Sequence, residues 1–270
     1  EFVGQQQINQ RLHSLGYPNT RITRRFMRMN QDENSHTNQI RFVDKKGSLI
    51  YQQGAQYNKD TFDFSNINKL GIGYINNAGL LVQEPMDFTF SNNLPLLDLQ
   101  QILQSILFPL SVPKQSRFNL SKDDYLFLKR YLSQYPSETA YPKYDTSEYY
   151  DSYVKYYFIG KKSMPEGVRV FNKVGWAYGT LTDVSYVADF NKNIEYMLSC
   201  TVYVNKDGIL NDDRYEYETV GLPFIYRLGQ SVYSYELNRE RKYKPDLRDL
   251  RLNYQKRKED SRPTLKNIDN

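Results

Sequence analysis

The chain holds one cysteine, Cys200, and two histidines, His13 and His36, among its 270 residues. A single cysteine excludes an intramolecular disulfide and a cysteine-rich metal site. Two histidines, neither at metal-ligand spacing, exclude most zinc-hydrolase and Ser-His-Asp schemes unless one of the two is used. Neither a metal nor a cofactor is therefore expected. No apolar run approaches the length of a membrane span, and no internal repeat is visible. The first residue is Glu1, with no signal peptide. This reads as a start in mid-protein, so the lack of a targeting segment says nothing about compartment.

Tyrosine is what the chain has in excess, with 25 residues against one tryptophan and an aromatic fraction of 15%. Tyrosines suit half-buried sheets and helices with wet rims, and lining a sugar or peptide groove is the less ordinary use. The net charge of +5 is concentrated in residues 239–266, where Arg and Lys are interleaved with Asp and Glu. A nucleic-acid footprint would be purer and would come with a reading module. No nucleic-acid partner is expected, and the tail reads as a solvated helix with a frayed end. Cys200 lies in the apolar run 196–204, where a buried, inert thiol is expected.

Periodicity predicts a helix over 2–15, from Phe2, Val3, Ile8, Leu12 and Leu15, with Gly16 ending it. A polar, arginine-rich loop covers 17–38, and 41–51 reads as a hairpin about Lys45-Lys46-Gly47. Residues 52–93 are irregular. A helix follows over 96–108 and is stopped by Pro109; Ser121 caps another, with an acidic first turn. The aromatic stretch 153–159 fits neither helix nor strand securely. Strands are predicted over 168–178, 181–190 and 194–204, with hairpin-length turns that make the sheet antiparallel. A long helix over 215–241, interrupted at Gly221-Leu222-Pro223, completes an α+β pattern. The expected division is a mostly helical region 1–165 with a hairpin-and-loop insertion at 40–93. The meander and C-terminal helix of the same domain occupy 166–243, and the basic tail 244–270.

Within the first of the three strands, Lys173-Val174-Gly175 puts a cation and a bulk-free position on an otherwise apolar run. Alone, the triplet fits a solvent-facing edge lysine and a strand glycine. Asp183 and Tyr178 lie close to it; Asp183 is expected to cap the turn after Gly179-Thr180 or to pair with a strand cation.

The order of these elements resembles the C-terminal two-thirds of the serine β-lactamase and penicillin-recognising enzyme family, in particular a group of exported Bacteroidetes serine hydrolases. Lys173-Val174-Gly175 looks like the family's Lys-Thr/Ser-Gly triplet. Residues 1–12 are similar to the helix after the family's second motif, and 205–224 to the link into the last helix. Pro85-Met86-Asp87-Phe88 with Leu97-Asp98-Leu99-Gln100 also fits the group. The resemblance spans about residues 1–245.

It implies a β-lactamase/transpeptidase-like fold and acyl-enzyme chemistry on a peptide-like or cell-wall substrate, in the periplasm or at the cell surface. Lys173 would bind the substrate's anionic group together with position 174, Gly175 would admit close backbone approach, and the Trp176 N–H would help form the oxyanion hole. The Ser-x-x-Lys nucleophile and base and the Ser/Tyr-x-Asn motif should precede Glu1. The chain alone is then expected to be inactive. Ser111-Val112-Pro113-Lys114 and Ser152-Tyr153-Val154-Lys155 match the first pattern, but about one match is expected by chance. Both also follow the second-motif position, and Pro113 breaks a helix.

The sequence departs from the family twice. Val174 lacks the hydroxyl, removing one hydrogen bond worth ~1 kcal/mol or somewhat more. The segment 21–27 resembles the Ω-loop entry of class A β-lactamases, yet no Glu follows the arginines closely; Glu33 reads as a solvated charge. A carboxypeptidase, esterase or amidase role therefore fits better than rapid β-lactam hydrolysis. The alternatives are a non-catalytic protein of the same fold that binds a cell-wall peptide or glycan, and an unrelated α+β interaction domain in which Lys173 faces open solvent. Oligomeric state leaves no trace in the sequence.

Overall fold

A computed structural model gives the fold and describes residues 4–25, 31–62, 64, 67–161, 163–254 and 263–265. Phe2, Val3, Phe26 and Met27, which entered the expectations above, lie outside the described residues, as does most of the tail beyond Tyr254. The architecture is α+β, with small sheets and a C-terminal helix.

Two compact units divide the chain, residues 1–70 with 85–98 and residues 71–84 with 99–270. The regions on either side of 165 are expected to belong to one domain. Helix and strand residues on either side of 165 pack together, so both fall in the second unit.

The first unit contains α1 (Gln5–Ser14) and α2 (Gln31–Ser35), with short strands β1 (His36–Thr37), β2 (Ile40–Val43), β3 (Leu49–Gln53), β4 (Gln56–Tyr57), β5 (Lys69–Leu70) and β8 (Met86–Asp87). The expected hairpin is β2 with β3. Its turn is held by the Asp44 carboxylate, which accepts from the N–H groups of Lys46 and Ser48, both at 2.8 Å. Glu33, expected in a loop, sits exposed on α2.

The second unit is built on three long strands, β9 (Val168–Ala177), β10 (Thr180–Asp189) and β11 (Ile194–Tyr203), an antiparallel meander with β10 central. Tyr178 and Gly179 connect the first two with φ of 51° and 79°, the two-residue turn whose twist matches that of its flanking strands. Three further short strands, β6 (Gly73–Ile75), β7 (Leu81–Val82) and β12 (Ile209–Leu210), make a separate small sheet.

Alternation along the meander produces one buried face and a second that is buried over only part of its length. One carries Val170, Leu181, Val187, Tyr196 and Leu198 against α5 (Leu222–Asn238), which contributes Leu222, Ile225, Leu228 and Val232. On the other, Tyr186 meets Phe108 edge-on at 4.9 Å, and Ser199 donates to Gln100 of α3 (Leu96–Leu107) at 2.6 Å. Helix α4 (Lys122–Ser133) starts as predicted. The Ser121 hydroxyl accepts from the Asp124 N–H at 3.1 Å, and the Asp124 carboxylate accepts from the Ser121 N–H at 2.9 Å.

The stretch 153–159 resolves into a 3-10 turn, Tyr156–Phe158, whose three aromatic residues are all buried. Helix α5 crosses it at Gly229, where a Cβ would stand 2.5 Å from Tyr157 Cβ and 2.8 Å from its carbonyl oxygen. A π-helical turn, Tyr217–Gly221, precedes α5 at the predicted interruption.

Over the described residues 239–254 the expected solvated helix is not formed. Helix α5 ends at Asn238, Arg239 is extended, and Pro245 follows. Arg239 and Arg241 both pair with the nearly buried Glu236, and Leu247 and Leu250 are buried. Burying those two leucines outweighs the helix that the charges alone would have formed in water.

Gly229→Ala tests the crossing. Helix propensity alone predicts a gain of about 1 kcal/mol, whereas the backbone clash predicts a loss of roughly 1–3 kcal/mol. The expected result is a lower urea midpoint at unchanged m-value, with Gly54→Ala, which meets nothing within 4 Å, as the neutral control.

Candidate functional site

The hairpin decides where the backbone of the Lys173 strand points. A two-residue turn is closed by a hydrogen-bonded pair, here Ala177 with Thr180. Pairs then alternate along the ladder, so Trp176–Leu181, Val174–Asp183 and Asn172–Ser185 are non-hydrogen-bonded. The N–H and C=O groups of Trp176, Val174 and Asn172 are therefore turned away from β10, toward the outer side of β9. Two contacts agree with this parity. The Lys173 ammonium donates to Val174 O at 2.6 Å, and the Tyr135 hydroxyl donates to Val168 O at 3.0 Å. No described strand pairs with that outer side.

Side chains sort by the same alternation. Lys173 and Gly175 are exposed on one face, in register with Val184 and Thr182, the solvent-facing placement of Lys173 that the interaction-domain alternative also expects. A Cβ at Gly175 would meet only Thr182 Cβ, at 3.8 Å, so the space before it is open. Thr182 and Thr201 lie on this face with their hydroxyls hydrogen-bonded to each other. Val174 is on the opposite face, packed against the core cluster. Trp176 remains 48% exposed and lies edge-on to Tyr217 at 5.0 Å and to Tyr156 at 6.3 Å. The fold thus places the Lys173 ammonium, the bare Gly175 and the Trp176 N–H at one open end of β9. The two threonines were missed because their alignment with Gly175 depends on the register across both hairpins.

Behind this strand lies a buried polar cluster. Lys155 and Asn172 are nearly inaccessible, and Asp183 and Ser185 are wholly so. The Lys155 ammonium donates to Leu132 O in the last turn of α4 at 2.9 Å and to Asn172 Oδ1 at 2.6 Å. Asn172 Nδ2 donates to Val154 O at 2.8 Å and to Asp183 Oδ1 at 3.0 Å. Asp183 also accepts from the Ser185 hydroxyl at 2.6 Å and from the Tyr156 N–H at 2.9 Å. The asparagine amide fits in one orientation only, because its oxygen must face the ammonium and its nitrogen the carboxylate.

Asp183 therefore does not cap the turn after Gly179; that expectation is corrected. It sits in mid-strand on the buried face, where alternation aims it at the Tyr156 turn. Tyr178 forms the turn instead. Burial pushes the Lys155 ammonium below the ordinary lysine range, opposed by the attraction of Asp183. Burial likewise pushes the Asp183 carboxyl up, opposed by its hydrogen bonds and by Lys155.

Lys155 is the lysine of Ser152-Tyr153-Val154-Lys155, and it has the lowered proton affinity that a catalytic base requires. Its neighbours are wrong for that task. The buried Ser152 hydroxyl donates to Lys161 O at 2.8 Å and accepts from the Lys161 N–H at 3.0 Å, so it closes a loop. The ammonium points to Leu132 and Asn172. Ser111 and Lys114 sit exposed in two separate 3-10 turns on either side of Pro113. Cys200 is half-buried, and burial and Asp183 raise its thiol pKa, which makes it a poor nucleophile. Among the described residues, no group of three or more His, Cys, Asp or Glu side chains could hold a metal ion. No helix among them is long and apolar enough to cross a membrane.

The cluster makes a thermodynamic prediction. Lys155→Met or Asp183→Asn alone leaves the other buried charge, which it meets through Asn172, uncompensated, and should cost roughly 3–5 kcal/mol. The double variant leaves no uncompensated charge and should cost clearly less than the sum of the two. Urea unfolding of the four proteins measures the coupling, and additive losses would show that the two groups do not sense each other.

Searches against protein-family models, curated proteins and solved structures found no match to this chain.

Proposed function

We propose that this chain is the C-terminal part of a serine hydrolase of the penicillin-recognising fold, acting on an amide or ester bond of a peptide-like, cell-wall-related substrate. The observation that carries the reading is the backbone parity of β9. The Trp176 N–H points to the open side of the outer strand, next to an exposed lysine and a glycine with free space before it. A substrate lying along that edge meets the Lys173 ammonium with its anionic group. Gly175 admits the scissile carbonyl close to the backbone, and the Trp176 N–H donates to the oxygen as negative charge develops on it.

The nucleophilic serine and its base come from residues outside this chain, since Ser152 and Ser111 are committed to loop hydrogen bonds. Val174 contributes packing rather than a hydroxyl, and Thr182 supplies a hydroxyl on the face that Lys173 and Gly175 share. An exported setting goes with a cell-wall substrate.

The test is acylation by a fluorescent penicillin or a fluorophosphonate. A longer protein that includes the preceding residues should label, and these 270 residues alone should not. Lys173→Ala in the longer protein should slow labelling about 10- to 100-fold, the loss of one charge-assisted contact. It should leave the urea midpoint unchanged, because Lys173 is exposed. Failure of the longer protein to label, or an unaffected rate in Lys173→Ala, would remove the basis for this reading.

A further inference from the structure

The first unit contains a cavity of about 480 Å³, within the size range of small-molecule sites. Its apolar wall is aromatic: Phe62 and Phe64 stand 6.0 Å apart, and Phe64 meets Phe90 edge-on at 4.7 Å. Phe90 keeps 62% of its surface exposed, so the fold leaves much of this aromatic area unburied. The Arg21 guanidinium lies 5.2 Å from the centroid of Phe64 and donates to Thr89 O at 2.9 Å, which fixes one side of the wall.

Most polar groups around the cavity are already used. Asp60 accepts from the Gln6 N–H at 2.9 Å in the first turn of α1, where its charge meets the positive end of the helix. Asn58 accepts from the Asp60 N–H at 2.9 Å, and Asn34 from the Arg25 N–H at 3.1 Å. Arg25 donates to Thr37 Oγ1 at 2.9 Å.

Arg24 differs. Its backbone N–H donates to Asn92 Oδ1 and its C=O accepts from Asn92 Nδ2, both at 3.0 Å, so the main chain is held at two points. Its guanidinium has no hydrogen-bond partner among the described residues, although it lines the cavity. A rigid fork of donors beside open aromatic faces matches a planar monoanion bearing an apolar group. The charge already bound by α1 at Asp60 disfavours a dianion.

We propose that this cavity binds a small carboxylate with an apolar arm, of the class of an N-acylated apolar amino acid or an apolar peptide C-terminus. The carboxylate lies on Arg24 and the arm lies against Phe64 and Phe90. The inference is separate from the hydrolase reading, because every residue of this cavity belongs to the first unit and β9 belongs to the second.

The experiment is calorimetric titration of the 270-residue chain with N-acetyl-phenylalanine and, in parallel, with its uncharged amide. The acid is expected to bind with Kd on the order of 1 mM or tighter, and the amide at least tenfold more weakly. Arg24→Gln keeps the main-chain contacts to Asn92 and should abolish that preference, while Phe90→Ala should weaken both ligands. Equal affinities for acid and amide in the unaltered chain, no saturable binding of either, or a tenfold preference that survives in Arg24→Gln would each overturn the proposal.

Discussion

Asp183 is the point on which the second unit turns. A carboxylate in mid-strand with no access to water must have each oxygen satisfied, and its partners come from distinct stretches of chain: Ser185 beside it, Asn172 on β9, and the Tyr156 N–H at the 3-10 turn. Through Asn172 it reaches Lys155, which in turn holds the last turn of α4. Charge, strand, turn and helix end are thereby tied into one polar unit inside an apolar core. Such a cluster contributes less to net stability than to geometry, because misplacing any member leaves a buried group unpaired.

The consequence for the candidate site is positional. Asn172 directly precedes Lys173, and Val174 is the register partner of Asp183. Side chains on the inner face of β9 are locked by the cluster and by the contact of Trp176 with Tyr217. The same strand therefore presents Lys173 and Gly175 from a rigid base. At its other end, Arg169 is bidentate to Glu138 at 2.8 and 3.0 Å and lies between the rings of Tyr135 and Tyr254. Anchored at that end and in its middle, β9 leaves its last residues exposed.

Much of this fold was legible in the sequence. The meander followed from three strand-like runs and hairpin-length turns, α4 from Ser121 and its acidic first turn, and α5 from the long helical stretch with a break at Gly221. The parts that were not legible have a common cause. The Tyr156–Phe158 turn is aromatic without period, since its residues point into a core supplied by other elements. The tail looked helical because its charges suit a helix in water, and over its described part, 239–254, two buried leucines, Leu247 and Leu250, overrode that preference. The Arg24 cavity gives no linear signal, because its wall comes from segments around residues 24, 62 and 90.

Sequence alone determined the element order, the antiparallel meander, and the Lys173-Val174-Gly175 triplet on its first strand. Local propensity and side-chain period suffice for those features. Tertiary structure decided that Asp183 faces inward, that Lys155 serves the core rather than Ser152, and that the Trp176 N–H faces outward. Each of these depends on hairpin register, and a slip of one residue would reverse every face and every unpaired backbone group.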